Sequence, residues 1–122
     1  MIKDLIISVK HAIDGIISSI SLERNVKIHF LAMFLTIIAG FIFNISIIEW
    51  FICILLFGMV ISLELVNTAI EMTVNICMPK INPKAKLAKD VSAGAVLIGA
   101  ITALIVGLII FVPKILFLIN NI

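Results

Sequence analysis

Three apolar runs, about Ile28–Ile48, Glu49–Met78 and Lys86–Val112, dominate this chain, and each is long enough to cross a bilayer. A hydrocarbon core about 30 Å thick takes roughly 20 apolar residues at 1.5 Å each. The runs are parted by a tight return at Asn44-Ile45-Ser46 and by Met78-Pro79-Lys80-Ile81-Asn82-Pro83, where each proline removes a backbone donor and restricts its predecessor. With 63% hydrophobic and 13% charged residues among 122, a soluble domain is excluded. No length remains for a separate soluble catalytic domain. The expected fold is an all-α membrane protein forming one unit over residues 1–122.

Residues 1–22 read differently. Ile2, Leu5, Ile6, Val9, Ile13, Ile16, Ile17 and Ile20 recur at spacings of three and four, with Lys3, Asp4, Lys10, His11, Asp14 and Ser18 opposite them. That pattern predicts an amphipathic helix lying in the membrane surface, ahead of three transmembrane helices over 28–48, 49–78 and 86–112. Mixed charges and alternating polarity make it unlike a secretory signal. Ser21 is a plausible N-cap for the first span. Trp50, beside Glu49, suits the headgroup level. Cys53 and Cys77 lack metal-ligand or redox spacing and read as packing residues.

Positive charge sets the topology. Lys3, Lys10, Arg24 and Lys27 precede the first span, and Lys80, Lys84, Lys86 and Lys89 separate the second from the third. Lys114 alone stands near the far end. The positive-inside rule then puts the N-terminus and the Lys-rich loop in the cytoplasm and the C-terminus outside. The net charge of +2 gives no reason to expect nucleic acid. In the third span Ala95, Gly99, Ala103 and Gly107 form a small-residue stripe of the kind that lets helices approach closely, which makes an oligomer reasonable.

Against this background Glu64, Asn67 and Glu71 stand out. At 100° per residue they fall within an arc of about 60° and cover about 10 Å of one helix face. Counted from Glu49, Glu64 lies about 22 Å along the helix, in the inner part of the bilayer. An ionisable group at that depth is costly and by default functional. One reading is an interhelical polar network in which Lys89 or Lys27 neutralises the acids. Another is a site for a divalent cation with phosphate ligands, since clustered carboxylates repel unless a cation joins them, and magnesium takes one or two carboxylates plus phosphates.

The segment ELVNTAIE (Glu64–Glu71), then AKD (Ala88-Lys89-Asp90) and AGAVLIGA, with Gly15 and ERNVKIH (Glu23–His29) upstream, resembles the prokaryotic diacylglycerol kinase/undecaprenol kinase family of small membrane lipid kinases. The resemblance covers almost the whole chain. It implies that Glu64 is the general base for the lipid hydroxyl, that Glu23 and Glu71 hold Mg2+ on the nucleotide, and that Asn67 orients the reacting groups. It further implies that Lys89 and Asp90 bind ATP, with His11, Lys80 and Asn82 as further nucleotide contacts, and that the protein is a homotrimer with shared sites. ERNVKIH is similar to the branch that acts on undecaprenol. Diacylglycerol is the alternative acceptor. A proton-coupled transporter using Glu64 is a remote alternative, and it would have no need of the Lys89-Asp90 pair. Neither G-x-x-x-x-G-K-S/T nor the protein-kinase sequences occur, so ATP would be held by side chains at the cytoplasmic interface.

Overall fold

The computed structural model describes residues 1–122 as four helices: α1 (Ile2–Leu22), α2 (Arg24–Ile42), α3 (Ile47–Cys77) and α4 (Pro83–Asn120). All four, α1 included, are long and apolar enough to cross a membrane by length and composition. The all-α expectation holds, and the helix ends differ from it for local reasons.

Glu23 is the single extended residue between α1 and α2, at φ −110° and ψ 119°. Ser21 does not cap α2. It sits in the last turn of α1 and its hydroxyl donates to the Ile17 carbonyl at 3.1 Å. A break of one residue leaves no capping loop, so the serine closes back on its own helix.

α2 stops at Ile42, short of the expected Ile48. Asn44 adopts φ 50°, a left-handed conformation that asparagine tolerates, and the Ile45 N–H donates back to the Gly40 carbonyl at 3.1 Å. Ser46 then opens α3: its Oγ accepts from the Glu49 N–H at 3.2 Å while Glu49 Oε2 accepts from the Ser46 N–H at 2.8 Å. Glu49 and Trp50 therefore do more than anchor. Glu49 Oε1 accepts from Lys114 Nζ of α4 at 2.7 Å. The Trp50 ring lies 5.1 Å from that of Phe41, and a Cβ at Gly40 would meet Trp50 Cη2 at 2.5 Å. Only glycine permits that approach.

At the second break Asn82 Oδ1 accepts from the N–H groups of Lys84 and Ala85 at 2.9 and 3.3 Å. Pro83 occupies the first turn, where its missing donor costs nothing. α4 thus begins before the expected Lys86, and it runs past Pro113 to Asn120 instead of ending near Val112.

α3 is the centre of the molecule: α2 and α4 each pack on it and not on one another. The α3–α4 pair is antiparallel, tied in order at Asn75–Lys89, Asn67–Ser92, Leu63–Gly99 and Glu49–Lys114. The small-residue stripe divides along its length. A Cβ at Gly99 would lie 2.9 Å from Leu63 Cδ1, so this glycine is a true packing position within the chain. Ala103 and Gly107 instead line a cavity of about 410 Å³ between α2 and α4, together with His29, Met33, Phe57 and Phe111.

Burial is inverted relative to a soluble protein. Isoleucine, leucine and phenylalanine cover the outside, while Ser19, Glu64, Asn67, Thr68 and Ser92 are buried. Lipid as solvent accounts for the first and makes the second informative. Residues 2–18 of α1 are all exposed, and Ser19 is its buried residue. Cys53 is buried as expected; Cys77 is exposed at the end of α3, so packing within the chain does not account for it.

Candidate active site

The polar stripe of α3 runs from Glu64 to Asn75, one turn beyond the three residues that the spacing picks out. Glu64 is 2% exposed and Asn67 7%, Glu71 is half-buried, and Asn75 falls on the same helical face one turn beyond Glu71. Because α3 is the central helix, its stripe meets α2 at Glu64 and α4 at Asn67 and Asn75.

At the deepest level, Glu64 Oε1 stands 3.0 Å from His29 Nε2 of α2. A carboxylate only accepts, so the contact is favourable with the imidazole proton on Nε2. Neither lysine offered from sequence as the neutralising partner takes this place. Lys27 is exposed, and Lys89 Nζ donates to Asn75 Oδ1 at 3.0 Å. The reason is register: α4 enters from the loop, which sets Lys89 level with Asn75, about 16 Å along α3 from Glu64.

One turn from Glu64, Asn67 Oδ1 accepts from the Ser92 hydroxyl at 2.6 Å, and that hydroxyl also lies 3.0 Å from the Lys89 carbonyl. With its carbonyl oxygen occupied, Asn67 has its amide N–H groups left to offer an acceptor.

At the α3–α4 turn, Lys80, Asn82, Lys89 and Asp90 line one hollow of about 400 Å³, with Asn75 and Lys86. Four residues expected to touch nucleotide are thus brought together. Asp90 Oδ2 is paired with Lys86 Nζ at 2.5 Å, so Lys86, read from sequence as a topology determinant, belongs to this hollow too. Asn82 also caps α4, which is a structural task in its own right.

The remaining expected residues lie apart from this cluster. Glu23 is half-buried at the α1–α2 break, and His11 is in the exposed stretch of α1. No three His, Cys, Asp or Glu side chains stand close enough to hold a metal ion by protein ligands alone. Glu23 and Glu71 therefore form no closed cage.

Three members escaped the sequence reading. Asn75 carried a signal, since it continues the Glu64 face. Ser92 lies three residues after Lys89 on α4, a polar residue in apolar surroundings. His29 belongs to ERNVKIH, but nothing in one helix tells which face meets α3.

Chemically, one buried carboxylate stands on α3 between an apolar cavity and a basic hollow. The cavity lining reaches Ile61 and the hollow lining starts at Val74. The chain matches the prokaryotic diacylglycerol kinase family over residues 10–111. It is 49% identical over 104 residues to the undecaprenol kinase of Bacillus subtilis (strain 168), covering 85% of each chain. It is 34% identical over 114 residues to a diacylglycerol kinase of Synechocystis sp., covering 93% of this chain and 65% of that one. The motif and the comparisons agree, and the chain belongs to the prokaryotic diacylglycerol kinase family.

Proposed function

We propose that this membrane lipid kinase transfers the γ-phosphoryl group of ATP to undecaprenol, giving undecaprenyl phosphate, with Glu64 as general base. The observation that carries the reading is the place of Glu64, buried between the apolar cavity and the Lys89–Asp90 hollow. A lipid alcohol brings its hydroxyl from the apolar side and a nucleotide brings its phosphate from the basic side. Glu64 takes the hydroxyl proton as the new O–P bond forms, and the bond to the leaving ADP oxygen breaks.

Lys89, already turned along α3 by Asn75, balances phosphate charge, and Asp90 with Lys80 and Asn82 holds the rest of the nucleotide. Asn67, fixed by Ser92, orients the reacting groups through its amide. His11 is assigned an outer nucleotide contact. Glu71 and Glu23 are assigned to magnesium. Magnesium is commonly bound by one or two carboxylates and completes its shell with phosphate and water. When bound, that ion supplies charge neutralisation at the phosphates.

The reading includes a single domain over 1–122, a surface position for α1, three spans within α2, α3 and α4, a homotrimer, and a cytoplasmic N-terminus and Lys-rich loop with the C-terminus outside. The apolar and charged sides of α1 support its surface position, and the lysine distribution supports the orientation.

The acceptor is preferred because the relative at 49% identity, covered over 85% of its length, is an undecaprenol kinase. Purified protein given labelled ATP and either undecaprenol or diacylglycerol tests this. Preferential labelling of undecaprenol is expected; preferential labelling of diacylglycerol overturns the acceptor, and no labelling of any lipid overturns the activity.

A further inference from the structure

We infer that His29 is the positioning residue for the Glu64 base: it holds one carboxylate oxygen and thereby keeps the other aimed at the lipid hydroxyl. This rests on the reading of Glu64 as base.

Glu64 is a flexible side chain, and a carboxylate must be held in a narrow range of orientation to accept a proton during phosphoryl transfer. The cross-helix contact that selects its direction is Oε1 to His29 Nε2 at 3.0 Å. The imidazole is planar and stiff, and at 20% side-chain exposure against 3% for Glu64 it is itself confined. It also lines the cavity between α2 and α4, whose walls are otherwise mostly hydrocarbon. His29 therefore touches both the base and the space from which a lipid hydroxyl arrives.

A plain tie between helices is the competing account, and the distribution of ties argues against it. The side-chain hydrogen bonds between helices, Asn75–Lys89, Asn67–Ser92 and Glu49–Lys114, all join α3 to α4. α2 is fastened to α3 by packing at its far end, where Gly40 and Phe41 meet Trp50. The one polar crossing from α2 reaches the carboxylate assigned to chemistry. In the transfer step the hydroxyl proton passes to the free oxygen of Glu64, His29 keeps its own proton on Nε2, the O–P bond forms and ADP leaves.

The test is steady-state kinetics of full-length His29→Leu, His29→Gln and His29→Asn, and of His29→Leu combined with Glu64→Gln, on undecaprenol and ATP. Size-exclusion profiles and thermal melts run alongside. The expected result is a fall in kcat of about 10- to 100-fold for His29→Leu with KM for ATP unchanged. His29→Gln, whose amide N–H has the longer reach, recovers most of the rate and His29→Asn does not. His29→Leu adds no loss on top of Glu64→Gln.

Undiminished kcat in His29→Leu, or losses that multiply in the double variant, overturns the inference. Should His29→Leu fail to fold, the amide pair decides, and equal rates for His29→Gln and His29→Asn overturn it. An inactive Glu64→Gln beside a fully active His29→Leu rejects the positioning role alone. A fully active Glu64→Gln rejects the base itself.

Discussion

Two carboxylates of α3 reach across to a neighbouring helix, and they are built for opposite ends. Glu49 is enclosed by donors: Lys114 Nζ on Oε1 and the Ser46 N–H on Oε2, with both partners of the ion pair about a quarter exposed. Glu64 meets His29 through Oε1 and is 3% exposed at its side chain. The first is a closed structural lock at a helix start, where an acid in the first turn is favoured anyway. The second has an imidazole as its contact across the bundle, and an ionisable group at membrane depth is by default a candidate for function.

The widest gap should appear on neutralising each acid. Glu64→Gln is expected to lower lipid phosphorylation about 10³-fold or more while helix content and elution volume stay unchanged, because a carboxamide accepts no proton. Glu49→Gln is expected to leave turnover within about two-fold. An active Glu64→Gln or an inactive Glu49→Gln would erase the distinction.

A smaller effect should come from the level one turn beyond Glu64, where Asn67 meets Ser92. Ser92→Ala removes the donor that fixes Asn67, and a loss of about 10-fold in kcat with about 1–2 kcal/mol of stability is expected. Steady-state rates and thermal melts on one preparation check both parts. Unchanged kcat would remove Asn67 from the positioning role.

The smallest effect belongs to the lock. Lys114→Met should cost no more than about 1 kcal/mol, since a partly exposed pair at an interface is screened, and should leave kcat unaltered. A severalfold fall in kcat would mean the outer end is coupled to the site.

How far these features were legible depends on how local their causes are. The return at Asn44-Ile45-Ser46 and the break at Pro79 to Pro83 were readable because turn and cap chemistry acts within a few residues. The Glu64, Asn67 and Glu71 face was readable because helical period alone creates it. Ser21 departs from its expected capping place because a capping serine and one that closes back on its own helix look alike until the next helix start is placed. The partner of Lys89 was not legible, because its level on α3 depends on where α4 begins, and Asn82 with Pro83 starts that helix before Lys86. Trp50 carried an interfacial signal that concealed its packing on Gly40.

The amino-acid sequence by itself determined that this chain is a helical membrane protein, where its helices break, and which acids share a face, because hydrophobic length, proline and helical period are properties of neighbouring residues. Only the tertiary structure decided that His29 faces Glu64, that Ser92 fixes Asn67, that Lys89 settles on Asn75 and that Lys114 closes on Glu49. Those pairings depend on the rotation and axial offset of one helix against another, and a shift of one residue turns a side chain by about 100°.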